Sequence, residues 1–389
     1  MSLYSRRGVS AQKEDVHAAT AGLDQGLFPR AFCKIYPDLF GNDADWVNLM
    51  HADGAGTKSI LAYLYWKQTG DKSVWRGIAQ DAIVMNLDDL LCAGVCDNLA
   101  FSSTIDRNKM RIPGEVLSEI IEGCREFFSR MEQFGIHIHF MGGETADVGD
   151  LVRTIAVNGT MAARWPKSKI ISNEKIAAGD VIVGLSGYGK ADYEDRYNSG
   201  IGSNGLTSAR HDLLHPDYAT RYPESFEPAV EKEVIYRGTW DLTDEINIGE
   251  TTVTIGSLLL SPTRTFAPVV RKILDELFNS VHGMVHCTGG GQTKCLRYIP
   301  ETVRVIKDDL FYPPAVFRLI RESSGATPAE MYQVFNMGTR LEIYTDEDSA
   351  PAMIEIAESF GVNAQIIGRV EDSGRKELVI QTPEGSLHF

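Results

Sequence analysis

Met141-Gly142-Gly143-Glu144-Thr145-Ala146-Asp147 follows Ile136-His137-Ile138-His139-Phe140, and the junction between the two decides the fold class. The five leading residues alternate apolar and polar, the period of a half-buried strand. The two glycines free the backbone for positive φ and for close approach to a ligand. Glu144 and Asp147 then bring carboxylates to a strand end, where open α/β sheets bind ligands. An ordinary strand-to-loop turn has the same composition, so the stretch gains weight only because the arrangement recurs. Trp46-Val47-Asn48-Leu49-Met50-His51 reads as an earlier strand that delivers Asp53-Gly54-Ala55-Gly56-Thr57-Lys58. Small residues there admit a phosphate, Lys58 offers charge to it, and Asp53 is a candidate cation ligand. The spacing is not that of a Walker loop.

Between these strands, residues 81–95 predict a helix with Ile83, Val84, Leu87, Leu90 and Leu91 on one face. Asp81, Asp88 and Asp89 fall opposite. Asp81 is expected on a solvated acidic face, whereas at least one of Asp88 and Asp89 is expected to serve a cation. A second helix opens at Ile112-Pro113-Gly114 and stops at Gly135. His137 and His139 share a strand face and are expected at the surface or an interface. Residues 151–163 read as a strand, followed by Arg164-Trp165-Pro166-Lys167-Ser168 as a linker. Strands alternate with helices here as in an α/β layer.

The second half restarts with the strand Val181-Ile182-Val183-Gly184-Leu185. Residues 190–199 are expected to form a surface excursion. Residues 200–210 resemble a glycine loop opening a helix, an anion site through free backbone N–H groups; a plain loop and N-cap is the competing reading. An amphipathic helix is expected over 266–281, a helix over 351–360, and strands at 341–344, 364–370 and 377–381. Thr288-Gly289-Gly290-Gly291 implies close backbone approach, since three glycines cost entropy. At 389 residues the chain is long for one core. The expected division is an N-terminal domain, 1–168, and a C-terminal domain, 169–389, with residues 1–45 beginning as a mobile arm.

The net charge of −15 argues against a broad nucleic-acid footprint. It leaves room for an anionic small molecule where local cations or a metal reverse the field. The six cysteines form no Cys-x-x-Cys pair, so neither a zinc site nor a disulfide framework is expected. No apolar run approaches a membrane span. These features read as a soluble protein of a reducing cytoplasm, without membrane or nucleic-acid partners.

The motifs also have an order. Asp53 to Lys58, Leu87-Asp88-Asp89-Leu90, Gly142 to Asp147, Ser203-Asn204-Gly205 with Arg210, Leu260-Ser261-Pro262-Thr263-Arg264, Thr288 to Gly291 and Phe335-Asn336-Met337-Gly338 follow one another. As a set they resemble the phosphoribosylformylglycinamidine cyclo-ligase family of purine biosynthesis, whose superfamily includes selenophosphate synthetase and thiamine-monophosphate kinase. The resemblance covers the chain from about residue 46 onward.

The resemblance implies a two-domain α/β chain that dimerises through its N-terminal sheets into a shared barrel. It implies ATP and Mg²⁺, with formylglycinamidine ribonucleotide as the substrate whose ring is closed. Lys58, Glu144 and Asp89 are then the catalytic candidates. Asp53, Gly54, Gly56, Thr57, Gly142 and Gly143 would meet the nucleotide. Ser203, Asn204, Gly289, Gly290 and Asn336 would meet the substrate. Asp53, Asp89, Glu144 and Asp88 would hold the metal, with Asp88 standing where the family has Asn. The family's His before Ser-Asn-Gly is Gly202 here, which makes His286 a candidate for proton transfer. A related ATP-dependent kinase or synthetase, or an inactive nucleotide-binding regulator, would share many of these motifs.

Overall fold

The computed structural model describes residues 3–10 and 14–389. Of the N-terminal arm, residues 1–2 and 11–13 therefore lie outside the described residues. The rest of the arm is not the loose segment expected. A helical turn at Leu3–Arg6 leads to Arg7, which is buried and forks onto both oxygens of Asp212 at 2.8 and 2.7 Å.

A five-stranded sheet is built from β1 (Ile35–Pro37), β2 (Trp46–Gly54), β3 (Leu99–Arg107), β4 (Ile138–Asp147) and β5 (Ile155–Pro166), in the order β1-β2-β5-β3-β4. Only β3 and β4 run parallel. Side chains alternate strictly between buried and half-buried along β3 and most of β5, as a pleated strand with one covered face requires. The covering helices include α1 (Lys58–Thr69), α2 (Val74–Leu91) and α3 (Gly114–Glu132).

Two local expectations change. The opening glycine stretch is not a loop after the strand, because β4 continues through Asp147 along β3. A bulge facing Ser102 absorbs the extra residues, and Gly142 takes φ +92° there. Gly143 is glycine for packing reasons, since a Cβ would stand 2.1 Å from the Ser103 carbonyl oxygen. Likewise Arg164 and Trp165 are not linker but the end of β5, paired to Asn48 and Val47.

The second sheet has seven strands: β6 (Val181–Ser186), β7 (Gly283–His286), β8 (Val303–Lys307), β9 (Thr339–Thr345), β10 (Ala364–Asp372), β11 (Glu377–Thr382) and β12 (Gly385–His388). Their order is β7-β9-β6-β10-β8-β11-β12. The helix α4 (Leu206–Leu213) and the strongly amphipathic α5 (Ala267–Leu277) belong to this half. Residues 190–199 are no free excursion: Tyr193, Asn198 and Ser199 are buried, and Glu194 pairs with the fully buried Arg264. All six cysteines are buried and unpaired. No helix among the described residues is long and apolar enough to cross a membrane.

Candidate active site between the two sheets

Helix α2 sets the site because its polar side does not face water. Asp81 is fully buried, contrary to the solvated face expected for it. Its Oδ1 accepts from Lys58 Nζ at 2.8 Å, Thr263 N at 2.7 Å, Thr263 Oγ1 at 2.6 Å and Ser203 Oγ at 3.2 Å. One carboxylate thus gathers α1, the loop before α4 and the loop before α5. Lys58 also donates to the Ser261 carbonyl. Burial pulls its pKa down while Asp81 pulls it back up. As it stands, this ammonium is committed to Asp81 and is not a free phosphate contact. Thr57 reaches across to Thr207, hydroxyl to hydroxyl, at 2.9 Å.

About two turns on, Asp88 caps the start of α5. It accepts from Thr265 Oγ1 at 2.5 Å and from Phe266 N at 3.0 Å. Burial pushes its carboxyl up to about 7, and both its oxygens are engaged at the start of α5. The folded value lies above the ordinary one of about 3.9. Its stabilising contribution is therefore complete below about pH 4 and is lost as pH rises through 7. Asp88→Asn keeps the shape and the neutrality. It is expected to be about 1–2 kcal/mol more stable than the parent at pH 8, with little gain at pH 4. Urea unfolding at the two pH values checks this, and equal gains at both would show that Asp88 is not protonated in the fold.

Asp89 is a carboxylate between two imidazoles. His286 Nδ1 lies 2.8 Å from Oδ1, and His51 Nε2 lies 3.2 Å from Oδ2. Burial favours the neutral acid, yet the hydrogen bonds from His286 and then His51 hold its pKa well below the carboxylate range. His51 is also held by Asn86 Oδ1 at 3.1 Å, and against the cost of burial Asp89 keeps its pKa above the usual value. His286 is fully buried, and burial followed by the nearby Arg340 charge lowers its pKa to about 4. With Nδ1–H given to Asp89, its Nε2 is a bare acceptor without a partner. Both oxygens of Asp89 therefore already meet an imidazole nitrogen.

The two remaining carboxylates are exposed but not neighbours. Asp53 ends β2 and accepts from Gly54 N at 2.7 Å, while Glu144 lies on β4. The register puts them in adjacent rows across the sheet, with β5 and β3 between their strands. Three strand spacings amount to roughly 14 Å, so a single ion cannot be shared by the pair. No group of three or more His, Cys, Asp or Glu side chains among the described residues is arranged to hold a metal. The carboxylates of Asp53, Asp88, Asp89 and Glu144, expected to hold the metal, are thus not gathered around one point. What fits instead is the usual magnesium mode, one or two carboxylates completed by substrate phosphates.

The glycines divide by what surrounds them. A Cβ at Gly54 would meet Asn158 Oδ1 at 2.2 Å and one at Gly143 would meet Ser103 O, so packing accounts for both. Gly56, Gly142, Gly289 and Gly290 would meet nothing closer than 3.8 Å, which leaves their backbone open to a ligand. Of the expected substrate contacts, Asn336 is buried and fully used, donating to the Gly200 carbonyl at 2.9 Å and accepting from Gly338 N at 2.8 Å. Ser203 is bound to Asp81 and Thr263. Asn204 is the one whose buried Oδ1 has no partner, and it borders Gly289.

Sequence reasoning did not single out His51 or Arg340, and it placed Thr263 in a motif without giving it a role. His51 sits at the end of an apolar strand and looks like ordinary alternation. Arg340 begins an apolar strand, yet it is 1% exposed, and its Nη1 lies 2.0 Å from where a Cβ of residue 202 would stand.

Residues 38–165 match the N-terminal domain of the AIR synthase related proteins, and residues 177–381 match their C-terminal domain. The phosphoribosylformylglycinamidine cyclo-ligase of Methanocaldococcus jannaschii is 30% identical over 385 residues, covering 96% of this chain and 93% of its own. That of Pyrococcus furiosus is 31% identical over 307 residues, 78% of this chain and 73% of its own. Among solved structures, AaThiL complexed with AMPPCP and TMP superposes with a TM-score of 0.52 at 11% identity, over 96% of this chain and 95% of that one. At that identity the likeness is one of fold.

Proposed function

The chain belongs to the AIR synthase related family, and from that premise we propose that it closes the imidazole ring of aminoimidazole ribonucleotide at the expense of ATP. The near-full-length likeness to curated cyclo-ligases carries this reading. The formyl oxygen of formylglycinamidine ribonucleotide attacks the γ-phosphorus of ATP, and ADP leaves. A substrate nitrogen then attacks the activated carbon and loses a proton, and the original formyl C–O bond breaks, so that the oxygen leaves with the phosphoryl group as phosphate.

Such chemistry asks the protein for positioning and charge neutralisation more than for covalent help. The nucleotide phosphates would lie along the open backbone at Gly56 and Gly142. Magnesium supplies charge neutralisation when bound, and Asp53 would complete its shell beside those phosphates. Glu144 would face the triphosphate from the far strand. Lys58 works with Asp81 as a positioning pair that fixes Ser203 and Thr263. Asn204, Gly289 and Gly290 border the substrate. His286 Nε2, which has no partner among the described residues, would accept the ring proton in place of a His at 202.

Met50, Phe140 and Met141 are exposed apolar side chains on β2 and β4. They support a homodimer formed through this sheet, as the barrel of the family requires. A cytoplasmic location agrees with six buried, unpaired cysteines.

ADP release from ATP and Mg²⁺, with and without formylglycinamidine ribonucleotide, tests the function. Substrate-dependent release with aminoimidazole product is the expected result. Release indifferent to that substrate would point to a kinase or synthetase of the same fold. Asp53→Asn and Glu144→Gln should each lower the substrate-dependent rate tenfold or more, and near-normal turnover would remove that carboxylate from the site.

A further inference from the structure

We propose that Arg340 is an anion-binding residue of this site, taking phosphoryl oxygens on the donors it now leaves unused; the proposal rests on the cyclo-ligase reading. The guanidinium is buried at the first turn of β9. Its Nε and Nη1 have no hydrogen-bond partner, and its Nη2 has only a 3.6 Å contact with Met85 Sδ. Asp81, Asp88 and Asp89 are the carboxylates that act on it electrostatically, but each is already engaged by other donors and none forms an ion pair with it among the described residues. A charge removed from water without a partner costs several kcal/mol. Structures retain such a group where a ligand completes it.

The location suits that role. Gly202 has no side chain, and the Cβ it lacks would fall 2.0 Å from Arg340 Nη1. Ser203 and Asn204, the next two residues, are half-exposed. The guanidinium therefore lies directly against the backbone at 202, and its charge acts on His286, whose Nε2 also has no partner among the described residues. A guanidinium offers phosphoryl oxygens two parallel N–H donors, which a lysine cannot. Two sources present that chemistry here: the phosphate monoester of the ribonucleotide, and the phosphoryl group in transfer from ATP.

The test compares the parent with Arg340→Met and Arg340→Lys. Calorimetric binding of formylglycinamidine ribonucleotide alone, and of a non-hydrolysable ATP analogue with Mg²⁺, is measured together with kcat and KM for substrate-dependent ADP release. Loss of ribonucleotide affinity by tenfold or more, mirrored in its KM, assigns Arg340 to the monoester. A tenfold or greater loss in kcat with ribonucleotide binding intact assigns it to the transferred group. In either case Arg340→Lys should recover only part of the loss. Should Arg340→Met fail to fold, Arg340→Lys decides alone, with a threefold or larger change supporting the proposal. Unchanged affinities, kcat and KM in folded variants overturn it. The binding arms need no turnover, so a parent that binds the ribonucleotide without closing its ring would defeat the functional reading and leave the test of Arg340 intact.

Discussion

Asp81→Ala is expected to cost about 3–5 kcal/mol of stability, as removal of one partner from a buried ion pair does. The substitution strands the Lys58 ammonium in a fully buried position and withdraws the acceptor from Thr263 and Ser203 as well. The diagnostic is the double variant Lys58→Met/Asp81→Leu. Buried pairs replaced by apolar groups of similar volume are often neutral or better, so the double variant should recover much of the loss. Urea unfolding of the parent, both single variants and the double completes the cycle. A loss below about 1 kcal/mol for Asp81→Ala would mean that the clamp between α1, α2 and the 261–265 loop is not formed.

Gly202→His is expected to destabilise by about 2–4 kcal/mol, through overpacking and through a non-glycine residue held at positive φ. The backbone at 202 has φ +67°, and the new Cβ would collide with Arg340 Nη1. The guanidinium is buried, so it has no solvent to swing into. In the family that this chain resembles a His is common here, which would suggest a harmless or helpful restoration. The geometry argues the opposite: a His at 202 and an Arg at 340 exclude each other. Gly202→His/Arg340→Met should therefore be more stable than Gly202→His alone. A fully stable, active single variant would show that Arg340 is free to leave its slot.

These two sites also mark where the sequence is readable. The strand at Trp46, the helix around Leu87 and the amphipathic α5 announce themselves through periodicity, because each buries one face against its own neighbourhood. Asp81 misleads for the converse reason. It lies opposite the apolar stripe, and periodicity then says water; its actual cover is Thr263, 182 residues away. The same blindness made residues 190–199 look like a free excursion, although Arg264 holds Glu194 and Tyr193 donates to the Thr265 carbonyl. The glycines of β4 read as a loop because glycine carries no periodic signal, while their strand pairing is dictated by β3. Candidate site residues were found where a motif places them on a strand end, as at Asp53. They were missed where the neighbours are remote in sequence, as for Arg340 against Gly202 and His51 against Asp89.

The Arg7–Asp212 fork has a consequence for the order in which the molecule assembles. During synthesis Arg7 is made more than two hundred residues before Asp212 and the Val234 carbonyl that hold it. Until then Arg7 lacks these acceptors, and the N-terminal sheet can close without them. Contacts of such long sequence separation form late. Arg7 is thus fastened late, and a fragment ending before α4 would leave its guanidinium without these acceptors.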